Sequence, residues 1–366
     1  MKLKSQTLHD LGQSIWYDNI ERRLLDNGEL ASMIESGLIY GVTSNPSIFN
    51  TAIAKSSDYD AQLVPLAQQG SDSAQIYEAL AVDDIRRAAD LFAPLYERTS
   101  GLDGYVSLEV DPNLAHDTEA TCDDAQRLWE LVDRPNLMVK IPSTEEGLPA
   151  IRRSIAAGLN INITLIFSRS RYLQVMDAYL SGLEDRLAAG SPIDGIASVA
   201  SFFVSRIDSK VDAHLDTNGS PEAATLKGRI AVANAKLAYQ DFKEIFSADR
   251  FAPLRAEGAR LQRPLWASTS TKNPAFSDVL YVDELIAPDS VNTVPPKTLT
   301  AFEDHGSAAI TIENDLDQAR ADLQTLQDLG ISLDQATEEL EQEGVASFSR
   351  AFADLIASIE SRREGA

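Results

Sequence analysis

A lysine inside an apolar run is the first residue of this chain whose surroundings suggest chemistry. Lys140 lies within residues 136–144, where the flanking apolar side chains predict a buried strand. Lysine is seldom fully buried without a partner, and desolvation lowers the pKa of a lysine from about 10.4 toward the neutral range. A neutral amine can attack a carbonyl carbon, so Lys140 is a candidate Schiff-base nucleophile. The alternative is a lysine at a strand end that extends its ammonium group to solvent or pairs with a carboxylate.

Polar residues also occur at or just after the other short apolar runs. They are Asp18 and Asn19, residues 43–46, Glu109 and Asp111, Asn162 and Thr164, Ser201, and Ser270 with Lys272. Each position has a structural explanation, because turns and caps place polar residues at strand ends. Their recurrence over seven consecutive runs predicts a shared polar face.

Eight apolar runs alternate with longer segments of helical periodicity. The runs are residues 14–17, 39–43, 104–110, 137–141, 160–167, 196–203, 264–269 and 291–294. The helical segments are residues 77–97, 118–132, 144–157, 169–188, 222–246 and 278–286. This alternation predicts an α/β fold, a (β/α)8 TIM barrel, with a doubly wound open sheet as the alternative. In a barrel the loops after the strands converge, which would gather the polar residues at one end.

The last part of the chain has a different pattern. Residues 313–329 and 333–343 predict charge-rich helices, and residues 345–359 predict an amphipathic helix with Phe348 and Phe352 on one face. We therefore expect a barrel domain over residues 1–300 and a C-terminal helical extension over residues 301–366, packed on the barrel. The aromatic face indicates packing, either on the barrel or at a dimer interface.

Composition restricts the class of partner. The chain has 32 basic and 56 acidic residues and a formal charge of −24, which argues against nucleic acid and anionic membranes as partners. An anionic substrate would need a local cationic cluster, since ordinary salt screens charge effects beyond about 8 Å. One cysteine and four scattered histidines predict neither an intrachain disulfide nor a metal site. No signal peptide or membrane span is evident, so we expect a cytoplasmic protein, as a monomer or homodimer.

Five segments resemble motifs of the transaldolase family and occur in the family's order. They are residues 41–49, residues 106–112 with 116–120, residues 138–144, residues 161–168 and residues 199–206. The resemblance covers roughly residues 10–300. It implies a (β/α)8 barrel of the Schiff-base aldolase type that acts on sugar phosphates without a cofactor or metal.

The resemblance also implies roles for individual residues. Lys140 would form an imine with a ketose phosphate, Asp18 would take the proton of the hydroxyl beyond the breaking carbon–carbon bond, and Glu109 would act through a water. The residues expected to hold substrate hydroxyls or that water are Asn45, Asn162, Thr164 and Ser201. Arg206 matches the family arginine that binds the terminal phosphate. After the seventh run, where many relatives have an arginine, this chain has Lys272 close to Ser270. A lysine keeps the charge but loses the bidentate fork of a guanidinium group.

The activity implied is that of the pentose phosphate pathway enzyme. It transfers a dihydroxyacetone unit from sedoheptulose 7-phosphate to glyceraldehyde 3-phosphate, giving erythrose 4-phosphate and fructose 6-phosphate. One alternative is a fructose-6-phosphate aldolase, a lyase on the same scaffold; Glu109 argues against it, because those aldolases resemble transaldolases except for a tyrosine or glutamine-type replacement near this position. The other alternative is a catalytically silent sugar-phosphate binding protein, which should lack Lys140 or Asp18.

Overall fold

Seven parallel strands form one sheet in the computed structural model, which describes residues 2–54 and 56–365. The strands are β1 (Gln13–Tyr17), β2 (Val106–Glu109), β3 (Leu137–Pro142), β4 (Ile161–Ile166), β5 (Ser198–Phe203), β6 (Arg263–Ala267) and β7 (Ser290–Val294). Every strand residue is buried, as expected for parallel strands covered by helices on one side and closed around a packed interior on the other.

The helices account for most of the remaining chain. They are α1 (Lys4–Asp10), α2 (Arg22–Asp26), α3 (Glu29–Glu35), α4 (Pro46–Ala54), α5 (Asp60–Gln68), α6 (Ser73–Arg98), α7 (Thr118–Val132), α8 (Gly147–Ala157), α9 (Arg169–Ala188), α10 (Ser205–Asn218), α11 (Pro221–Leu226), α12 (Ile230–Ser247), α13 (Phe251–Ala256), α14 (Leu280–Glu284), α15 (Pro296–His305), α16 (Leu316–Asp328) and α17 (Leu333–Glu364), with a short 3-10 turn at Pro112–Leu114.

The sheet closes into a barrel through a single residue. The strand order is β1-β7-β6-β5-β4-β3-β2, and Val42 forms parallel bridges to Tyr17 of β1 and to Val106 of β2. Val42 therefore occupies the position of a strand between the two ends of the sheet. The predicted (β/α)8 barrel is confirmed, and the open doubly wound sheet is excluded.

The prediction of a strand over residues 39–43 is wrong, because these residues form only an isolated bridge position. Only Val42 bridges both neighbours. On the β2 side its N–H donates to the Tyr105 carbonyl and its carbonyl accepts from the Ser107 N–H; on the β1 side the Gly41 carbonyl accepts from the Tyr17 N–H, and the Thr43 N–H donates to the Tyr17 carbonyl. Beside it, Gly41 lies against the indole ring of Trp16, and a Cβ atom at this position would come within 2.7 Å of that ring. The close approach of the indole requires glycine at residue 41.

The helix predicted over residues 222–246 is two helices. α11 ends at Leu226, and α12 begins at Ile230. Gly228 between them has a left-handed backbone (φ +70°), which breaks the helical path. The side chain of Phe276 packs where a Cβ of Gly228 would lie.

The two helices predicted over residues 333–343 and 345–359 are one helix, α17, which packs on α4, α6 and α10. Gly344 lies within α17 because its missing side chain leaves room for Leu165 of β4, whose Cδ2 would be 2.9 Å from a Cβ. The division into domains at residue 300 stays a prediction. Within residues 2–54 and 56–365, no helix has the length and apolar character needed to cross a membrane.

We predict that Gly41→Ala destabilises the barrel. The new methyl group would overlap the Trp16 ring, and overpacking of this kind costs about 1–3 kcal/mol. The free energy of unfolding, measured by urea titration, should fall by that amount. The matched control is Gly195→Ala, because a Cβ at Gly195 meets no atom within 4 Å. Equal stability of the two variants would contradict this account of residue 41.

Candidate active site

Lys140 lies on β3 with its side chain inside the barrel. Its side chain is 6% exposed. The Nζ atom donates a hydrogen bond of 2.9 Å to the carbonyl oxygen of Ser44 and lies 6.0 Å from the centre of the Phe348 ring of α17. The alternative of a lysine that reaches solvent at a strand end is therefore excluded, whereas its other form, pairing with a carboxylate, is present as a contact with Glu109.

Glu109 is the carboxylate partner of Lys140. The two residues are opposite each other in the register of β2 and β3, and Glu109 Oε2 lies 3.3 Å from Lys140 Nζ. This oxygen is buried and accepts no hydrogen bond from the described residues. Burial raises the pKa of Glu109, and the nearby Lys140 ammonium opposes that rise. Glu109 can therefore exchange a proton with the amine or with a small molecule beside it.

Asp18 approaches the same space from the end of β1. Thr43 Oγ1 donates a hydrogen bond of 2.7 Å to Asp18 Oδ1, and the Thr293 hydroxyl lies 2.6 Å from Thr43 Oγ1. Since the single hydroxyl proton of Thr43 goes to Asp18, Thr293 is the donor to Thr43. Burial raises the pKa of Asp18, against the opposing effects of the Thr43 hydrogen bond and of Lys140. The site thus holds two carboxylates in different environments, which suits two different proton-transfer roles.

Asn162 and Ser201 form a polar pair on β4 and β5. Ser201 Oγ donates to Asn162 Oδ1 at 2.7 Å, and Asn162 Nδ2 donates to Ser107 Oγ at 3.0 Å. These bonds fix the orientation of the amide group and leave the oxygen of Ser201 free to accept. Asn162 is fully buried and lies outside the cavity lining, so the structure places it as a support for Ser201.

A β-bulge follows at Thr164. The pairing of β4 with β5 shifts between Ile163 and Ile166, and Leu165 between them has a positive φ of 61°. A bulky residue rarely adopts this backbone, and a bulge re-aims the side chains beside it. Thr164 Oγ1 is buried and has no hydrogen-bond partner among the described residues. Its hydroxyl is available to a substrate oxygen or a water.

The cationic cluster expected from the charge balance is present at the mouth. Arg206 is the second residue of α10, with its guanidinium carbon 5.5 Å from the Phe203 ring, and Lys272 donates a hydrogen bond of 2.6 Å to Ser270 Oγ. Burial lowers the pKa of both cations, and Arg206 also lowers the pKa of Lys272. Within the described residues neither forms an ion pair with a carboxylate, although Glu343 opposes the fall for Arg206 and Asp18 opposes it for Lys272. Two neighbouring cations that are not held in ion pairs favour binding of an anion.

One cavity of about 130 Å³ joins these groups. Eight of the ten predicted site residues line it: Asp18, Asn45, Lys140, Thr164, Ser201, Arg206, Ser270 and Lys272. Glu109 contacts the cavity through Lys140, and Asn162 through Ser201. A larger cavity of about 250 Å³ lies at the opposite ends of the strands, but its lining combines no lysine with a carboxylate. In the part of the chain that the structure describes, no group of three His, Cys, Asp or Glu residues could hold a metal ion.

Other residues also line the cavity: Thr43, Phe203, Ser268, Thr293 and Phe348. Thr43 belongs to the polar residues predicted at the strand ends, although no role was predicted for it. The other four were not predicted, and for Phe203 the available signal was its position inside the motif of residues 199–206. Phe348 belongs to the aromatic face of the last helix, and the sequence pattern of that face predicts packing but no contact with the site. Nothing in the local sequence distinguishes Thr293 or Ser268.

Comparisons with known proteins agree with this geometry. Residues 15–359 match the family described as "Transaldolase/Fructose-6-phosphate aldolase". The chain is 50% identical to "Transaldolase 1" of Streptomyces coelicolor over 355 residues, which cover 97% of this chain and 93% of the relative. It is 48% identical to a transaldolase of Trichodesmium erythraeum and 49% identical to one of Mycolicibacterium smegmatis, with 97% of this chain and 96% of each relative covered. The chain belongs to the transaldolase/fructose-6-phosphate aldolase family.

Proposed function

We propose that this protein is a transaldolase that transfers a dihydroxyacetone unit between sugar phosphates through an imine on Lys140. The observation that carries the proposal is the buried Lys140 amine, 3.3 Å from Glu109 and in one cavity with Asp18. The reaction expected is that between sedoheptulose 7-phosphate and glyceraldehyde 3-phosphate. Full-length relatives named transaldolase support this activity over the lyase and over a silent binding protein.

The first half of the reaction cleaves the donor ketose. The Lys140 amine attacks the ketone carbon, and loss of water gives a protonated imine that withdraws electrons from the adjacent bond. Glu109 is placed to move protons between the amine and that water. Asp18 takes the proton of the hydroxyl on the carbon beyond the bond that breaks. The carbon–carbon bond then breaks, and an aldose phosphate leaves.

The second half reverses these steps with a different aldehyde. The three-carbon enamine on Lys140 adds to the acceptor, Asp18 returns its proton to the new hydroxyl, and water releases the ketose. Asn45, Thr164 and Ser201 are placed to bind hydroxyls of the retained unit or the water, and Asn162 supports Ser201. Arg206, Ser270 and Lys272 bind the phosphate. Cytoplasmic location and a monomeric or homodimeric state stay predictions.

We predict that Lys140→Met abolishes transfer. Borohydride reduction in the presence of fructose 6-phosphate should trap a three-carbon adduct on Lys140 of the wild type, and the variant should lose activity by about 10³-fold or more. The matched control is Lys236→Met, because Lys236 is equally buried but pairs with Glu284 away from the cavity. Erythrose 4-phosphate added before the borohydride should convert the unreduced three-carbon intermediate to sedoheptulose 7-phosphate and so prevent adduct formation. An adduct on another lysine would contradict the assignment, and release of free dihydroxyacetone in place of transfer would indicate the lyase.

Arg206→Ala should weaken binding of phosphorylated sugars selectively. Loss of a charged hydrogen-bonded contact costs about 1.5–3 kcal/mol, so KM for fructose 6-phosphate should rise about 10- to 100-fold. Binding of unphosphorylated dihydroxyacetone, measured through formation of the adduct on Lys140, serves as the internal control. Arg169→Ala, which removes a guanidinium paired with Asp241 on the outer helices, should change neither value. Equal weakening of both ligands in Arg206→Ala would place the phosphate elsewhere.

The acid limb of the pH–rate profile should depend on Thr43. Asp18 must be ionised to accept a proton, so its raised pKa sets the limb above the ordinary range of an aspartate. Thr43→Val removes a donor that stabilises the ionised form, which raises the pKa further and moves the limb to higher pH. Thr43→Ser keeps the hydroxyl and should keep the limb in place. We would measure kcat/KM against pH for both variants; identical limbs would mean that another group controls the rate.

A further inference from the structure

A second cavity, which we call the side cleft, reaches Glu109 from between α6, α7 and α17. It encloses about 190 Å³ and is separate from the cavity that Lys140 lines. Its inner end is formed by Glu109 and Pro46, and its outer end by Ala74, Glu78 and Arg127. The mechanism above gives this space no role.

The wall between the two spaces is thin. Asn45 lines the substrate cavity and the next residue, Pro46, lines the side cleft. The carbonyl of Ser44 accepts the hydrogen bond from Lys140 Nζ at 2.9 Å. On the other side Glu109 lines the cleft, and its Oε2 lies 3.3 Å from Lys140 Nζ, which lines the substrate cavity. The Lys140–Glu109 pair is therefore the point at which the two spaces meet.

Groups that hydrogen bond with water occur along the side cleft. Tyr77 of α6 lies between its two ends, with its ring held edge-on by Phe49 and Phe352 at 5.9 and 5.3 Å. Its hydroxyl has no hydrogen-bond partner in the described part of the chain. Tyr77 and Glu109 both line the cleft, and burial together with the charge of Glu109 raises the pKa of Tyr77. The hydroxyl of Tyr77 can therefore hold a water next to Glu109.

The outer end of the cleft is a polar rim. Arg127 bonds to Asp124 Oδ1 at 2.6 Å and also pairs with Glu78. Asp124 in turn accepts a hydrogen bond from the backbone of Asp111 at 2.9 Å. Water can pass from this rim to Tyr77 and Glu109 without crossing the substrate cavity.

The chemistry needs such a path. Formation of a protonated imine from a ketone and the lysine ammonium group releases one water and no net proton, and hydrolysis of the product imine consumes one water. At both moments the sugar fills the substrate cavity, with its phosphate at the cationic cluster. The released water is formed beside Glu109, at the inner end of the side cleft.

We propose that the side cleft is the route by which the water of imine formation leaves and the water of imine hydrolysis enters, and that Tyr77 is a positioning residue for this water. The inference rests on the proposed Schiff-base function. It predicts that water exchange and carbon–carbon bond cleavage can be separated by changes confined to the cleft.

The test uses fructose 6-phosphate labelled with ¹⁸O at the ketone oxygen and the full-length protein. If the released water escapes, ketose that forms an imine and returns unchanged has lost its label; if the water is held, it adds back and the label is retained. Mass spectrometry measures label loss in recovered fructose 6-phosphate, and borohydride trapping measures imine formation. Their ratio reports water escape and does not depend on the amount of active enzyme.

Ala74→Trp places a large ring at the outer end of the cleft. Ala74 is exposed on α6, so the change does not disturb the core. We expect label loss per imine to fall about tenfold, with single-turnover cleavage of the carbon–carbon bond unchanged. Ala321→Trp on α16, also exposed and outside both cavities, is the matched control and should behave as wild type.

Tyr77→Phe removes the hydroxyl but keeps the ring packing. We expect hydrolysis of the product imine to slow about tenfold while cleavage is retained, which a purely structural role of the ring would not produce. Wild-type label loss in Ala74→Trp together with wild-type hydrolysis in Tyr77→Phe would overturn the proposal. Failure of wild-type protein to form any adduct on Lys140 would instead overturn the Schiff-base function itself.

Discussion

The buried pair of Lys140 and Glu109 is the interaction around which the rest of the site is built. Removing two charges from water is costly, and their attraction offsets that cost only when the geometry is good and other hydrogen bonds are made. Here adjacent parallel strands put the two residues in register, and the Ser44 carbonyl accepts a hydrogen bond from the ammonium group. The barrel supplies both the low-dielectric surroundings and the fixed distance, so the amine and its proton acceptor need no rearrangement before reaction.

The same arrangement explains how an acidic protein binds anions. The net charge of −24 repels a sugar phosphate at long range, but screening limits that effect to about 8 Å at physiological salt. Close to the mouth, Arg206 and Lys272 are neighbouring cations that form no ion pair among the described residues, although the charges of Glu343 and Asp18 act on them. Lys272 contributes charge without fork geometry, so in the proposed binding mode directional recognition of the phosphate depends mainly on Arg206.

Much of this site could be predicted from the sequence. A lysine within an apolar strand and polar residues at strand ends are local signals, and the barrel brings them together. Other features depend on contacts between distant segments. Val42 occupies the place of a whole strand next to Gly41, which passes close to Trp16, and Gly344 of α17 leaves room for Leu165 at the bulge. The position of Phe348 near Lys140 and the side cleft below Phe352 follow from the packing of α17, which periodicity alone does not specify.

The pairing of β1 with β7 affects the order in which the molecule can assemble during synthesis. Gln13 and Ser290, 277 residues apart, hydrogen bond to each other, and Thr293 orients the threonine that holds Asp18. Contacts of such long range slow folding, because the chain must lose much of its freedom before they form. A nascent chain on the ribosome therefore carries a sheet with unpaired edges until residues 290–294 emerge, and such edges are prone to aggregation. Chaperone binding during this interval would protect a chain in which Asp18 becomes correctly oriented only when the last strand is in place.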